Sequence, residues 1–138
     1  MTGVQTCALP ILKEAGYTYM LDWPVDDQPF WMKTRSGPLM SVPYSIELND
    51  SPVMVFRQEG AADFERMAID QFDEMLLQSR KYPLVYTIVL HPFVIGQPYR
   101  LRALRRIFAH IAKARDDVWV TTPGEVARHY AGLFPAGA

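Results

Sequence analysis

The sequence predicts an α/β fold in which short strands alternate with helices. Segments rich in β-forming residues are followed repeatedly by segments whose apolar residues recur at three- and four-residue steps. The string LKEAGYTYML joins a helix end, a glycine and a strand, which is typical of a βαβ unit and a parallel sheet. With 138 residues, 49% of them hydrophobic, the chain is long enough for one domain with its own core.

The first predicted elements are a helix that ends before Gly16 and a short strand over 17–21. The next stretch, Pro24 to Pro52, contains five prolines, which exclude long helices but allow a short strand near 39–42. Its aromatic residues argue against disorder. We therefore interpret this stretch as an ordered loop that shapes a site.

The remaining elements follow from periodicity and capping residues. One apolar stripe predicts a helix over 63–80, and the run at 84–90 indicates a fully buried strand. A second helix is predicted over 98–114, and VWVTT at 118–122 indicates a last short strand. The string TPGE then contains the residues of a capping box and begins a helix over 122–132.

Charge and hydropathy exclude several classes of protein. The net charge is −1, so no global field would attract nucleic acid or anionic lipid, and the arginines of 98–114 indicate a solvated helix face. The apolar stretches are far shorter than the roughly 18 residues of a membrane span. The first residues lack the positive charge of a signal peptide, which favours a cytoplasmic over a secreted protein.

The main candidate for chemistry is His91, which directly follows the predicted strand at 84–90. Ligands of parallel α/β folds meet the carboxyl ends of the strands, where Asp22 and Trp23 also lie after the first strand. A histidine that only caps the strand by a backbone hydrogen bond is the open alternative. The pairing with an acidic, aromatic segment favours a functional histidine that the strand holds into a cleft.

A metal site is not predicted from these residues. The three histidines, His91, His110 and His129, are each nineteen residues apart. None has a second histidine or a cysteine at the spacing of metal ligands. Phosphate-binding glycine loops, nucleophile elbows and dinucleotide fingerprints are also missing from the sequence.

Four strings resemble, in order, a known family: GYTYMLDWPVDDQPFW, VPYSIELND, IVLHPFVIGQPYR and VWVTTPGEVARHY. They are similar to the carboxy-terminal half of polysaccharide deacetylase-like proteins, in the branch with allantoinase-like members. The resemblance implies α/β architecture as the carboxy-terminal half of a distorted (β/α)7 barrel. It also implies a hydrolase of amide bonds outside peptides, which acts on an N-acetylated amino sugar or a small cyclic amide.

The resemblance also implies roles for individual residues. The late histidine of the family matches His91, which would act as general acid toward the leaving amine. The preceding Trp-x-x-Asp element matches Trp23, a wall of the substrate groove, and Asp26, which would orient the histidine. Asp27 and, less favoured, Asp22 are alternatives for this carboxylate.

Several further residues are candidates for lining the same cleft as substrate contacts: Asp22, Phe30, Trp31, Asn49, Asp50 and Arg100. For Asn49 and Asp50 a simple turn before Pro52 is the first interpretation. For Arg100 it is a loop-to-helix entry. Leu90 is adjacent to the histidine, as in the allantoinase-like branch, whereas the sugar-deacetylase leucine lies two residues before it, so sugar specificity stays open.

The early motifs of the family, which supply an aspartate base and the aspartate and two histidines of a divalent metal site, are not present in this sequence. We therefore expect a fragment that is inactive alone, a Zn-type metal only in a full-length parent, and self-association through strand edges. The string MTGVQTCALPI at 1–11 resembles a translated sequencing adapter, so the domain is expected over 12–134 with a tail at 135–138. The alternative function is a non-catalytic carbohydrate-binding or scaffold domain.

Overall fold

The computed structural model describes residues 3–137, which form five α-helices and three β-strands in two compact units. Unit 1 combines Met1–Pro43 with Thr121–Ala138, and unit 2 is Tyr44–Val120. The elements of unit 1 are α1 (Gly3–Glu14), β1 (Tyr19–Met20), β2 (Phe30–Thr34), β3 (Gly37–Ser41) and α5 (Pro123–Leu133). Those of unit 2 are a π-helical turn (Pro52–Phe56), α2 (Ala61–Gln78), α3 (Pro92–Ile95) and α4 (Pro98–Ile111).

The sheet of unit 1 has the strand order β1-β3-β2. β1 runs parallel to β3, as the sequence predicts, and β3 confirms the short strand expected near 39–42. β2 pairs with β3 in an antiparallel hairpin inside the stretch that the sequence indicated was a loop. Strand β1 pairs only with Met40 and Ser41 of β3. At Pro38 the strand β3 is therefore paired with β2 alone, and the missing N–H of Pro38 removes no hydrogen bond to β1.

Helix α5 packs on this sheet through a small apolar core. Met40 and Val42 of the sheet side meet Ala127 of α5, with Tyr130 and Trp31 packed around them. The helix begins with the predicted capping box: Thr122 Oγ1 accepts a hydrogen bond from Glu125 N, and the Glu125 carboxylate accepts one from Thr122 N at 3.1 Å. Two orphan backbone donors are thus satisfied where the helix starts.

The turn between α1 and β1 depends on Gly16, as predicted. Its φ is +88°, in the left-handed region. Gly16 N donates to Lys13 O at 3.1 Å and Tyr17 N donates to Leu12 O at 3.0 Å, the two hydrogen bonds of a Schellman motif. These bonds end the helix and direct the chain into β1.

In unit 2, helices α2 and α4 pack against each other and confirm the two helices predicted there. Phe64 and Ala68 of α2 and Ile107 of α4 are buried in one core, with Val94 and Ile95 of α3. Charged pairs flank this contact. Arg106 Nε and Nη2 donate to the two carboxylate oxygens of Glu65. His110 Nε2 lies 2.7 Å from Asp73 Oδ1.

Two predicted strands are wrong. The segment 84–90 is half-buried rather than fully buried, and its one ladder contact among the described residues is a parallel bridge between Val89 and Asn49. The segment 118–122 forms no assigned strand in the described chain. High β-propensity does not supply the neighbours whose N–H and C=O groups a strand requires.

The limits predicted for the domain stay predictions. Helix α1 spans Gly3–Glu14 and so runs across the boundary proposed after residue 11. Met1, Thr2 and Ala138 lie outside the described residues. Among the helices that the structure describes, none is long and apolar enough to cross a membrane.

A first prediction concerns the left-handed glycine. G16A should lower the free energy of unfolding by about 1 kcal/mol, because alanine is strained at this φ although no atom would contact its Cβ. G132A is the matched control, since Gly132 lies in α5 with equally open space and no positive φ. Urea denaturation should show G132A neutral or stabilised, and equal losses for both variants would contradict the turn geometry.

A second prediction concerns the acid sensitivity of the α5 cap. Hydrogen bonds from the Thr121 hydroxyl, then from the Thr122 backbone and side chain, keep the pKa of Glu125 below its ordinary value of 4.5. Because the folded-state pKa is depressed, this contribution is complete above about pH 4.5 and is lost as the pH falls through the folded value. The gap in unfolding free energy between wild type and E125Q should therefore shrink in acid. If this difference in unfolding free energy stayed constant down to pH 2, the contribution assigned to the ionised Glu125 carboxylate would be wrong.

Candidate functional site

The candidate site lies where two neighbouring segments of unit 2 end. Asn49 and Val89 form a parallel bridge, with Val89 N donating to Leu48 O at 2.8 Å and Asp50 N donating to Val89 O at 3.1 Å. The bridge aligns the two segments in the same direction. Asp50 and His91 therefore leave the same edge, as carboxyl ends of parallel strands do.

The Asp50 carboxylate binds His91 from two sides. Its Oδ1 lies 2.6 Å from His91 Nδ1, and its Oδ2 accepts a hydrogen bond from His91 N at 2.9 Å. Oδ2 also accepts from Ile95 N, in α3, at 3.2 Å. The Asp50 side chain is 0% exposed. Burial of an ionised carboxylate is costly unless it is hydrogen-bonded, and these three contacts offset that cost.

The His91 ring is oriented by this carboxylate but is not enclosed. The side chain is 35% exposed, and its backbone is extended with φ −112° and ψ 119°. A carboxylate 2.6 Å from Nδ1 requires a proton on Nδ1, which leaves Nε2 as the nitrogen that can give or take a proton with a ligand. The same arrangement stabilises an imidazolium when one forms.

The structure places a carboxylate at His91 that the sequence did not assign to this role. The resemblance gave the orienting carboxylate as Asp26 or Asp27, and that assignment stays a prediction; within unit 2, Asp50 lies at the ring. The Asp50 side chain is fully buried and hydrogen-bonded to the protein, and its expected contact with a substrate also stays a prediction. Asp50 is a positioning residue for His91.

The two other site candidates of unit 2 are held by local hydrogen bonds. Asn49 is buried; its Nδ2 donates to the Tyr44 hydroxyl at 3.1 Å and its Oδ1 accepts from Ser51 N at 3.2 Å. These contacts agree with the turn interpretation of Asn49, and its contact with a substrate stays a prediction. Arg100 Nη1 donates to Val94 O at 2.9 Å, which ties α4 to α3 as a loop-to-helix entry would.

The remaining candidates lie in unit 1. Asp22, Asp26 and Asp27 are exposed, Trp23 is half-buried, and Asp26 Oδ1 accepts a hydrogen bond from Gln28 N at 3.3 Å. Their proposed roles in a substrate groove stay predictions.

The two aromatic candidates of unit 1, Phe30 and Trp31, belong to β2. The Trp31 indole N–H donates to Phe134 O at 2.8 Å, and its ring packs on the sheet core. The structure therefore gives Trp31 a packing role that its sequence position did not indicate.

The described residues do not supply the donor set of a metal site. They contain no group of three or more His, Cys, Asp or Glu side chains that could hold a metal ion. Asp50 and His91 form a pair, and a divalent site of the Zn type needs three or four ligands. The described part of this chain does not fit such a metal.

Sequence and structure comparisons connect this geometry to known proteins. A Schizosaccharomyces pombe protein named as a polysaccharide deacetylase is 31% identical over a 121-residue match; the match covers 80% of this chain and 38% of that protein. The crystal structure of Puue allantoinase matches 97% of this chain with 33% identity and a TM-score of 0.86. These relatives point to the polysaccharide deacetylase family, which includes allantoinase. No protein-family model matches the sequence.

Further solved structures support the family. A Pseudomonas aeruginosa protein titled as a polysaccharide deacetylase matches 91% of this chain with 29% identity and a TM-score of 0.81. A Mycobacterium smegmatis protein of the same description matches 95% with 26% identity and a TM-score of 0.74. The chain has the fold of part of these α/β barrels, as predicted.

The chain spans less than half of each relative. It covers 38% of the Schizosaccharomyces pombe protein, 45% of the allantoinase, 42% of the Pseudomonas aeruginosa protein and 48% of the Mycobacterium smegmatis protein. Partial coverage of this kind fits the fragment that the sequence predicts.

One signal in the sequence could have identified Asp50. The strings SIELND and TIVLHP each carry an isoleucine and a leucine two positions apart, followed by a polar side chain. If both run in parallel, Asp50 and His91 come out at the same edge. The assignment to Asp26 followed the Trp-x-x-Asp element of the family resemblance instead.

A third prediction tests the buried carboxylate. D50A should lower the free energy of unfolding by at least about 2 kcal/mol, because the backbone N–H groups of His91 and Ile95 lose their acceptor. H91Q should cost less than about 1.5 kcal/mol, since both backbone bonds to Asp50 remain. Chemical denaturation of both variants checks this. If H91Q lowered the free energy of unfolding as much as D50A does, the backbone hydrogen bonds to Asp50 would not be its main contribution to stability.

Proposed function

We propose that this chain supplies the general acid of a hydrolase that cleaves amide C–N bonds outside peptides. The single observation that supports the proposal is the pair of His91 Nδ1 and a buried Asp50 carboxylate at 2.6 Å, in a ring that is otherwise partly exposed. The polysaccharide deacetylase family, including an allantoinase, provides the reaction class.

The step assigned to His91 is protonation of the leaving amine. In the tetrahedral intermediate the C–N bond breaks and its electron pair goes to nitrogen. The proton on His91 Nε2 moves to that nitrogen, so the imidazolium becomes a neutral imidazole and the amine leaves uncharged. Asp50 holds the ring through Nδ1 and stabilises the imidazolium before the transfer. Positioned acid catalysis of this kind is worth roughly 10²–10⁴ in rate.

The substrate is proposed as an N-acetylated amino sugar or a small cyclic amide, the classes that the names of the relatives suggest. Trp23 as a groove wall belongs to the same proposal. The base that activates water, a Zn-type metal in a longer parent, and the self-association and cytoplasmic location expected from the sequence are also proposals.

A fourth prediction tests His91 in a complete barrel. Residues 12–134 replace the matching part of Puue allantoinase, and hydrolysis of a small cyclic amide and of an acetylated amino-sugar oligomer is assayed. H91A in this chimaera should lower kcat by roughly 10²–10⁴ while the protein stays folded, because the backbone hydrogen bonds to Asp50 remain.

H110A is the matched control, because His110 is also paired with a carboxylate, Asp73 at 2.7 Å, but on the α2–α4 surface. It should leave kcat unchanged. Wild-type turnover in a folded H91A chimaera would contradict the general-acid assignment. The better of the two substrates decides between the sugar and the cyclic amide.

A further inference from the structure

An exposed aromatic ring lies directly beside His91. The Phe93 side chain is 73% exposed, although an aromatic ring of this size is normally covered in a folded protein. Its ring contacts that of His91 edge to face, with the centroids 5.5 Å apart and an interplanar angle of 63°. The two rings thus lie side by side, directly after the segment 84–90.

The position of Phe93 is fixed by the residues that follow it. Phe93 is the second residue of α3, whose next two residues, Val94 and Ile95, are buried in the core of unit 2. Ile95 N also donates to Asp50 Oδ2 at 3.2 Å. The carboxylate that orients His91 therefore also holds the turn that presents Phe93, so the two rings are pre-organised together.

The other conspicuous side chains of the same loop are engaged elsewhere. The Arg100 guanidinium donates to Val94 O and lies over the Tyr99 ring at 5.2 Å from its centroid. Gln97 donates to Phe93 O at 3.4 Å. Phe93 is the member of this loop that combines high exposure with contact to the His91 ring.

We propose that Phe93 is a substrate-positioning residue, whose ring forms an apolar wall beside His91 against the C–H face of the sugar ring of an N-acetylated amino sugar. The inference rests on the proposed function, since it deepens the same site. A flat apolar surface buries the apolar face of a pyranose and leaves its hydroxyls in water. Such a wall would set the amide nitrogen toward His91 without taking part in the proton transfer.

A fifth prediction tests this wall in the 138-residue chain itself. Diacetylchitobiose is titrated into the labelled protein while the His91 Hε1 resonance is followed by NMR. In wild type the sugar should shift this resonance. F93A should bind it roughly threefold to tenfold more weakly with an unchanged Tm, and F93W should restore the affinity.

F56A is the matched control, because Phe56 in the π-helical turn is 78% exposed and lies in the same unit. It should bind as wild type does. Equal affinity of F93A and wild type, equal loss in F93A and F56A, or no shift of His91 by the sugar would each overturn the proposal. This readout needs no catalysis. If H91A does not lower hydrolysis, the general-acid role is wrong while the role of Phe93 in binding can still hold. If F93A does not weaken binding, the role of Phe93 is wrong while the general-acid role can still hold.

Discussion

The site in unit 2 depends on the burial of one carboxylate. Asp50 is fully removed from water and accepts hydrogen bonds from His91 N and Ile95 N as well as facing His91 Nδ1. An ionised side chain in such a place is strongly unfavourable when a partner is lost. The segments that contain His91 and Ile95 are therefore held to the segment that contains Asp50. The position of His91 follows from this buried carboxylate.

This arrangement explains why a histidine can be rigid and accessible together. A ring that is held by packing alone has to be buried, which would close both nitrogens to a ligand. Here the constraint acts through Nδ1 and the backbone, so the ring stays 35% exposed and Nε2 is left for chemistry. The half-buried segment 84–90 is consistent with this, because one bridge at Val89 and one carboxylate orient His91 without a wide sheet.

The sequence predicted the features that depend on near neighbours. The α2 and α4 helices, the Gly16 turn and the Thr122–Glu125 capping box each follow from residues within a few positions of one another. Features that depend on distant pairing were missed. The β2 strand was hidden among prolines, of which Pro29 and Pro43 flank the hairpin and Pro38 lies within β3. The segment 84–90 had the composition of a strand but, among the described residues, only one bridge to a neighbour.

The pair of Asp50 and His91 is the clearest case of a distant pairing that the sequence did not predict, because the two residues are 41 positions apart. The family resemblance implied that a carboxylate orients His91, and the observed contact with Asp50 is of that kind. Which acidic residue lies at the ring depends on strand direction, since parallel segments bring their carboxyl ends to one edge. The pair closes entirely within unit 2, beside the bridge between Asn49 and Val89. A fold can be shared widely while its chemistry lies in such local pairs.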